Sequence, residues 1–351
     1  MRIAVQNGLR LAAVYGCLGE QVRDNRLDLP ELFGSRGEQL LRGSGINRRS
    51  IARRGTSSLD LCVAAAKAVL ADMAYDPAGI VGLVSVSFTP DRPLPGNAAP
   101  AQALLGLCED VATIDLHAHC AGYPYGLWVA GSLALALGGD VLLLCGDVQS
   151  PLVSPQDAAT YPLFADAGTA SLVSIAGDDC WSYAFYNDGS RRDALQIPAG
   201  GSASPLREEN LRLQERSEGS LSREIDIAMD GLAIYRFVIQ DVCNFIADYL
   251  RQKGRSPQAY ANFIPHQANM KLVPQMAVKA GFDAGQLWLS GEEYGNVAAA
   301  SLPLTIAHCG PDRLHESELS LLAGFGAGLS ASLVELTLHP ATLYKVIMHS
   351  S

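Results

Sequence analysis

The sequence predicts an α/β fold in which helices cover the faces of the sheets. Two observations carry this prediction: short, nearly continuous apolar runs, and Ala-rich stretches of helical length between them. Such runs are typical of strands that are buried on both faces, and their alternation with helices is typical of α/β architecture. The length of 351 residues suggests about two domains.

The predicted elements extend along the whole chain. The strand-like runs are residues 80–86, 111–116, 141–145, 170–175, 261–264, 319–323 and 330–338, and the helical stretches are 59–74, 122–137 and 231–251. Each half contains a long helix, followed by a buried strand and by a polar residue at the end of that strand. We therefore expect two similar halves, residues 1–178 and 179–351, although no residue-level repeat supports the duplication.

Composition excludes several classes of protein. Hydrophobic residues make up 48% and charged residues 18% of the chain, which favours a large core over disorder. The net charge of -10 disfavours nucleic acid and anionic membranes as partners. The most apolar stretch, 127–145, is interrupted by glycines and Asp140, whereas a membrane span needs roughly 20 unbroken apolar residues.

The cysteines and the N-terminus indicate a cytoplasmic protein. Eight cysteines are scattered without a C-x-x-C pair, as is usual for reduced cysteines of a large core. Polar residues such as Arg2 and Gln6 interrupt the apolar run that a signal peptide requires. Residues 200–225, rich in Gly, Ser, Arg and Glu, form a long linker, which we expect to be a mobile cover or a disordered insertion.

Cys120 is the first candidate for chemistry. It follows an apolar run and precedes the Ala/Gly-rich helical stretch that begins at Gly122. Unpaired N–H groups at a helix N-terminus, together with the helix dipole, favour the nucleophilic thiolate. The alternative is one more buried core cysteine, and the position alone does not decide between the two.

His266 and Asn296 are the next candidates. His266 follows an apolar strand and Pro265, where an imidazole can exchange a proton near neutral pH. Asn296 lies between Gly295 and an Ala-rich helix, where an amide can donate to a developing oxyanion or only cap the helix. Each residue alone is more often structural than catalytic.

Two further patterns need an interpretation. The glycine-rich segment AGFGAGL, residues 323–329, lies between two strand-like runs and predicts a tight turn that approaches a ligand closely. His117 and His119 lie on one face of a strand next to Cys120 and imitate a metal site. No further ligand pair stands out, so we expect no metal.

These segments together resemble the β-ketoacyl-acyl-carrier-protein synthase III family of the thiolase superfamily. The resemblance covers nearly the whole chain. Its motifs, in chain order, are SGINRR (44–49), HCAG (119–122), LFADAG (163–168), IPAGGS (197–202), MDG (229–231), PHQAN (265–269) and YGNVAAAS (294–301). The last two are the most specific to the family.

The resemblance implies a fold and a site. The fold is a five-layered αβαβα arrangement of two thiolase-like halves, in a homodimer. Cys120 is implied as the acyl-accepting nucleophile, and His266 and Asn296 as donors to the thioester carbonyl of a malonyl extender. The backbone N–H groups of Cys120 and Ala327 are implied as the oxyanion hole. Further residues implied in substrate binding are Arg48, Gly231, Phe237, Gln267 and Asn269.

The implied substrates are acyl-coenzyme A or acyl thioesters of phosphopantetheinyl acyl carrier protein, with no permanently bound cofactor. The implied reaction is decarboxylative condensation in fatty acid or polyketide biosynthesis. At three places the sequence departs from the usual pattern of the family. The family usually has a tryptophan near Gln39 that stacks on the adenine of coenzyme A, a small residue at His119, and a shorter segment at 200–225. Another acyl-coenzyme A or a carrier-protein thioester is therefore a possible donor, and His119 is expected to fill space.

Two other functions stay open. One is an acyltransferase that moves the acyl group from Cys120 to an oxygen or nitrogen acceptor without condensation. The other is a non-catalytic subunit of a paired synthase, which the presence of Cys120, His266 and Asn296 disfavours.

Overall fold

The computed structural model describes residues 1–217 and 220–350 of the chain. Its strands are β1 (Ile3–Leu18), β2 (Gln21–Asp24), β3 (Arg48–Ile51), β4 (Ile80–Val86), β5 (Ala112–Leu116), β6 (Asp140–Asp147), β7 (Ala167–Asn187), β8 (Leu195–Gln196), β9 (Gln214–Ser217), β10 (Ser220–Ser222), β11 (Ala228–Met229), β12 (Asn262–Pro265), β13 (Glu318–Gly326), β14 (Ser330–Leu338) and β15 (Leu343–Met348). Its α-helices are α1 (Asn25–Phe33), α2 (Gly37–Ser44), α3 (Ser58–Asp72), α4 (Ala98–Leu104), α5 (Gly122–Leu137), α6 (Gly231–Arg236), α7 (Cys243–Lys253), α8 (Leu272–Lys279), α9 (Gly291–Tyr294) and α10 (Ser301–Arg313).

Two long strands join the halves of the main sheet. The order is β12-β13-β14-β7-β6-β4-β5, and β1 pairs with both β7 and β15. The first part of β7 pairs with β6 and its last part with β14. Between these parts the pairing of β7 with β1 shifts register. The boundary expected at 178/179 falls in this irregular stretch of a continuous strand, and the division into two domains stays a prediction.

Helices cover and separate the two half-sheets. On one outer face, α3 packs against β1, β6 and β7. On the other, buried residues of α7 and α8 pack against β13 and β14. Between them, α5 and α10 share a buried cluster with strands of both halves. The layers are therefore helix, sheet, helix, sheet, helix, and the predicted five-layered αβαβα fold is confirmed.

The helix expected at residues 231–251 is helical throughout but not uniform. Between α6 and α7, residues Phe237–Val242 adopt the wider π-helical form. Asp230 begins α6, its carboxylate accepting from the N–H groups of Leu232 and Ala233 at 3.0 and 2.9 Å. A π-helical turn often marks a functional region, because it shifts the side chains that follow it around the helix axis.

The linker expected at 200–225 is folded in its described part. Residues 218 and 219 lie outside the described residues. On either side of them, β9 and β10 pair in antiparallel fashion. The Leu221 N–H donates to the Gln156 carbonyl at 3.1 Å, and the Glu224 N–H donates to the Asn210 carbonyl at 3.1 Å. The first bond attaches the segment to the body of the protein and the second lies within the segment, an order that the polar composition alone does not predict.

All eight cysteines lie within the described residues and are free. Five of them are buried, as the composition predicts. Among the helices of the described residues, none is both long and apolar enough to cross a membrane.

Candidate active site

Three residues from distant parts of the chain line one cavity. Cys120 lies between β5 and α5, His266 directly follows β12, and Asn296 lies between α9 and α10. All three line a cavity of about 240 Å³, which we call the His266 cavity. The α/β fold brings them together because each lies where the chain leaves a strand or enters a helix, the usual place for ligand sites in such folds.

A glycine allows the turn after β13 to lie against the nucleophile. A Cβ added at Gly326 would lie 2.9 Å from the Cβ and 3.3 Å from the Sγ of Cys120. Atoms at such distances overlap, so any side chain at this position would displace the sulfur. The glycine-rich segment therefore packs directly against Cys120, and its approach to a bound ligand stays a prediction.

Burial determines the protonation of Cys120 in the free protein. The residue is 5% exposed, and its pKa is raised to about 12, first by burial and then by the negative charge of Asp147. Only the N–H of Cys120 itself opposes the shift. The direction is opposite to the effect expected from the helix N-terminus, because desolvation of a thiolate outweighs the partial charge of a helix end. Cys120 therefore rests as a thiol.

His266 is held as a neutral imidazole. The side chain is 1% exposed, and burial lowers its pKa to about 3. Its backbone N–H donates to the Ala323 carbonyl at 2.8 Å, which fixes it to β13. The ring stands edge-on to Phe325, with centroids 5.3 Å apart, and its Nδ1 has no hydrogen-bond partner among the described residues. Because Nδ1 is buried, Nε2 is the ring nitrogen that can face a molecule in the cavity, as donor or acceptor according to the tautomer.

Asn296 is oriented as a donor. Its Oδ1 accepts a hydrogen bond from the Ala298 N–H at 3.1 Å. Its backbone carbonyl accepts from the Ala165 N–H at 2.9 Å and from Gln149 Nε2 at 2.6 Å. Because the oxygen of the amide is occupied, its Nδ2 group is the part that can serve a ligand. That nitrogen has only a long contact of 3.5 Å, to the Ala268 carbonyl.

The backbone on either side of Asn296 is unusual. Gly295 has φ +80°, and a Cβ there would lie 2.8 Å from that of Ala165. Ala298 has φ 48°, a left-handed conformation that is uncommon for residues other than glycine. For a residue such as Ala298 this conformation costs about 1–3 kcal/mol, and it persists only where the surrounding structure enforces it. The structure therefore fixes the position of the Asn296 amide at the expense of local stability.

The structure separates the other predicted site residues into two groups. Gly231, Phe237 and Asn269 line the His266 cavity. Gln267 is buried and satisfied, since its Oε1 accepts from the Ser290 N–H at 3.0 Å and its Nε2 donates to the Pro265 carbonyl at 2.7 Å. Arg48 lies on the surface, 3.3 Å from Glu293, and is not among the residues that line the cavity.

A second cavity begins at the same cysteine. It measures about 420 Å³ and is lined by Cys120, His119 and Ala327, and we call it the His119 cavity. Ala327 lies in the turn between β13 and β14, where its carbonyl accepts from Ser330 Oγ at 2.7 Å. The remaining lining residues are Phe88, His117, Gln149, Phe164, Leu195, Gln196, Ile197, Ala199, Gly200, Gly201, Ile227 and Ala298.

Asp147 connects two walls of the His119 cavity by hydrogen bonds. It is fully buried at the end of β6, and its carboxylate accepts from the N–H groups of Phe88 at 2.9 Å and Ala299 at 3.3 Å. Burial raises its pKa to about 7, against the lowering effect of these bonds. Because the loops after β4 and β6 and the segment before α10 share this one group, the cavity is held rigidly.

Two residues of the cavities were not expected from the sequence. Lys271 lines the His266 cavity and is exposed, five residues after His266. Gln149 lines the His119 cavity just beyond β6. Gln149 repeats the signal used for Cys120 and His266, a polar side chain after a buried strand. Within residues 1–217 and 220–350 there is no group of three or more His, Cys, Asp or Glu side chains that could hold a metal ion.

The fold and this cysteine-centred cavity define the class of thiolase-fold proteins. A solved structure of similar shape is the 3-oxoacyl-(acyl-carrier protein) synthase from Burkholderia xenovorans, with a TM-score of 0.92 and 32% identity over 99% of both chains. A second is the 3-oxoacyl-(acyl carrier protein) synthase III of Pseudomonas aeruginosa, with a TM-score of 0.80 and 27% identity over 97% of this chain and 99% of that one.

Sequence comparison identifies the family. Residues 114–189 match the profile of 3-oxoacyl-[acyl-carrier-protein] synthase III, and residues 250–336 match that of its C-terminal part. The β-ketoacyl-[acyl-carrier-protein] synthase III of Rhodopirellula baltica is 31% identical over 92% of this chain and 96% of its own. An acetoacetyl CoA synthase of a Streptomyces species is 32% identical over 84% and 88%. The chain belongs to the β-ketoacyl-acyl-carrier-protein synthase III family, and the predicted resemblance is confirmed.

Proposed function

We propose that the protein is a condensing acyltransferase that loads an acyl group onto Cys120 and joins it to a malonyl thioester with loss of carbon dioxide. The observation that carries the proposal is the shared cavity of Cys120, His266 and Asn296. Family membership supports the reaction class. The product is a β-ketoacyl thioester for fatty acid or polyketide biosynthesis.

The first half-reaction is transfer of the acyl group. The Cys120 sulfur attacks the carbonyl carbon of the donor thioester, and the donor sulfur leaves as a thiol after taking up the proton that Cys120 loses. The N–H groups of Cys120 and Ala327 are proposed to bind the oxygen of the tetrahedral intermediate. Since Cys120 rests as a thiol, the proton must leave the sulfur during the attack. Neutral His266, in the same cavity, is the group proposed to relay it.

The second half-reaction forms the carbon–carbon bond. The carboxylate of the malonyl thioester leaves as carbon dioxide, and the electron pair of the broken bond forms an enolate. His266 and the Asn296 Nδ2 group are proposed to donate hydrogen bonds to the enolate oxygen. The enolate carbon then attacks the acyl carbonyl on Cys120, and the Cys120 thiolate is expelled and takes up a proton from water.

The His266 cavity fits an extended thioester arm. Its walls are mostly apolar, and Gly43, Gly231 and exposed Lys271 lie among its lining residues. We propose that the arm is phosphopantetheine on acyl carrier protein or coenzyme A, with Lys271 attracting its phosphate or the acidic carrier surface. Gln39, on α2, is exposed and has no ring to stack on adenine, which favours the carrier protein as donor.

A homodimer is part of the proposal. Strand β5, which leads to Cys120, is the last strand in the order of the main sheet. The free edge of such a strand presents backbone groups for pairing with another chain. We propose that two copies meet there, and light scattering of the purified protein would give twice the chain mass. A chain mass at all working concentrations would contradict the dimer.

The proposed reaction is tested by supplying an acyl thioester, then malonyl-carrier protein, and separating the products by mass spectrometry. We expect carbon dioxide and a β-ketoacyl-carrier product in equal amounts. Acylation of Cys120 without carbon dioxide release, followed by transfer to an alcohol or amine, would instead select the acyltransferase without condensation.

A further inference from the structure

The segment from Asn296 to Ala299 has a conformation that its own sequence does not favour. Ala298 has φ 48°, and its N–H donates to Asn296 Oδ1 at 3.1 Å, so the amide of Asn296 is turned back onto a left-handed residue. Such a backbone conformation persists only where neighbouring groups enforce it. The direction of Asn296 Nδ2 therefore depends on the groups that hold this segment from outside.

Gln149 holds the segment at its first residue. The side chain lies just beyond β6 and is 1% exposed. Its Nε2 donates to the Asn296 carbonyl at 2.6 Å and to the Ala165 carbonyl at 2.8 Å. The Asn296 carbonyl accepts a second hydrogen bond, from the Ala165 N–H at 2.9 Å. Both amide hydrogens of Gln149 are thus used to join Asn296 to its neighbouring chain segment.

The backbone of Gln149 is itself fixed. Its N–H and that of Ser150 each donate to Asp166 Oδ1 at 2.8 Å. Asp166 is fully buried, and its Oδ2 accepts from the Ala52 N–H at 2.9 Å. A donor on a rigid backbone keeps its acceptor in one place, whereas a mobile side chain would follow the motion of the acceptor. Gln149 can therefore determine where the Asn296 carbonyl lies.

Asp147 holds the same segment at its last residue. It is fully buried at the end of β6, two residues before Gln149. Its Oδ2 accepts from the Ala299 N–H at 3.3 Å, and its Oδ1 accepts from the N–H groups of Phe88 at 2.9 Å and Thr89 at 3.1 Å. The end of β6 therefore contacts both ends of the segment that carries Asn296.

We propose that Gln149 and Asp147 are positioning residues for condensation, which hold the Asn296 segment at both ends so that Asn296 Nδ2 faces the His266 cavity. Neither residue touches the enolate, and each acts through Asn296. A hydrogen bond to a developing charge weakens steeply when its donor turns away, so the reaction depends on this orientation. The inference rests on the proposed function, in which Asn296 stabilises the enolate.

The test measures decarboxylation of malonyl-carrier protein by the full-length protein after Cys120 has been acylated completely. Gln149→Met keeps the length of the side chain and removes both donated hydrogen bonds. We expect single-turnover decarboxylation to fall about tenfold or more, because a small displacement of a reacting group has an effect of this size. Complete acylation of Cys120, seen by intact-protein mass spectrometry, shows that the variant is folded.

Gln102→Met is the matched control. Gln102, on α4, also donates its Nε2 to two backbone carbonyls, those of Leu107 at 2.5 Å and Cys108 at 3.1 Å. It lines neither the His266 cavity nor the His119 cavity. The variant loses the same kind of hydrogen bonds away from the site, and its decarboxylation rate should be unchanged.

A double-mutant cycle with Asn296→Ala distinguishes positioning from general support of the fold. If Gln149 acts through the Asn296 amide, Gln149→Met should cause little further loss once that amide is removed. A side chain that only stabilises the fold would lower the rate by the same factor in both backgrounds. Asp147→Asn keeps the shape of the side chain but has one acceptor oxygen instead of two, and it should show the same dependence on Asn296. The acylated Cys120 sulfur carries no charge, so the charge of Asp147 does not affect this step through the thiol.

The outcomes separate this inference from the proposed function. Unchanged decarboxylation in Gln149→Met and Asp147→Asn, or equal losses with and without the Asn296 amide, would overturn the positioning role while condensation stands. A variant that cannot be acylated is misfolded, and the other variant then decides. If the unaltered protein, once acylated, does not decarboxylate malonyl-carrier protein, the proposed function fails and this inference fails with it.

Discussion

The two cavities that meet at Cys120 differ in how their polar groups are already bound. In the His266 cavity, the Asn296 oxygen is occupied and a donor faces the ligand. In the His119 cavity, both Gln149 hydrogens are occupied, and its Oε1 is buried out of reach of a ligand. A donor can stabilise a developing oxyanion, whereas, towards a ligand, a side chain bound in the way of Gln149 only shapes its cavity. The difference indicates that the His266 cavity supplies a donor for the chemistry, and that the His119 cavity supplies the space beside the sulfur for an acyl group.

Removing the sulfur should have the largest effect, because both cavities depend on it. Cys120→Ala should lower condensation by about a thousandfold or more, as expected when a nucleophile is lost. Product formation from an acyl donor and malonyl-carrier protein measures this loss. The control is Cys108→Ala, at an exposed cysteine that lines neither cavity, which should keep its activity. Full condensation activity in Cys120→Ala would show that the function of neither cavity depends on this sulfur.

Asn296→Ala should distinguish the roles of the two cavities. Loss of one oxyanion donor typically lowers the rate by about a hundredfold to a thousandfold. We expect this loss in decarboxylation of the malonyl thioester, with much smaller changes in acylation of Cys120. Single-turnover measurements of each half-reaction test the split. Equal losses in both steps would mean that Asn296 supports the whole site instead of the extender side.

The pH dependence of thiol reactivity should show that burial raises the pKa of Cys120. Since its pKa is raised to about 12, the thiolate fraction should increase about tenfold per pH unit throughout the neutral and mildly alkaline range. Alkylation by iodoacetamide should therefore become about a hundredfold faster from pH 7 to pH 9. Peptide mapping measures it, and exposed Cys108 in the same sample reports reagent access. A plateau below pH 8 would show that the thiolate is stabilised in the free protein.

Gly326→Ala should have a smaller effect on both sides of the sulfur. The added Cβ would lie 2.9 Å from the Cβ of Cys120, and a displacement of a few tenths of an ångström misaligns the nucleophile. We expect acylation about tenfold slower with little change in the melting temperature. Gly189→Ala, where an added Cβ meets no neighbouring atom, is the matched control. An unchanged acylation rate in Gly326→Ala would show that the turn moves to make room for the added Cβ.

The sequence predicts the fold well where apolar runs are uninterrupted. Residues 80–86 and 330–338 form strands with the predicted bounds, and 122–137 is the predicted helix. It does not predict β1, because Gln6 and Arg10 interrupt its pattern. In the fold Gln6 bonds the Trp128 carbonyl at 3.0 Å and Ser132 Oγ at 2.8 Å, partners more than a hundred residues away that no local pattern reveals.

The candidate site was accessible to sequence reasoning for a related reason. Cys120 and His266 both follow buried strands, and glycines mark the turns that approach them. The direction of the Cys120 pKa shift was not predicted correctly, because burial depends on the packing of distant segments. The hydrogen bonds of Gln149 likewise depend on two carbonyls, of Ala165 and Asn296, that only the folded chain brings within 2.8 Å.

Peptide mapping of the protein during turnover provides the decisive observation. After mixing with an acyl thioester alone, the added mass should lie on the peptide that contains Cys120. After malonyl-carrier protein is added, that mass should disappear as β-ketoacyl product forms in equal amount. Product that forms while the adduct on Cys120 remains, or an adduct confined to another residue, would contradict acyl transfer through this cysteine.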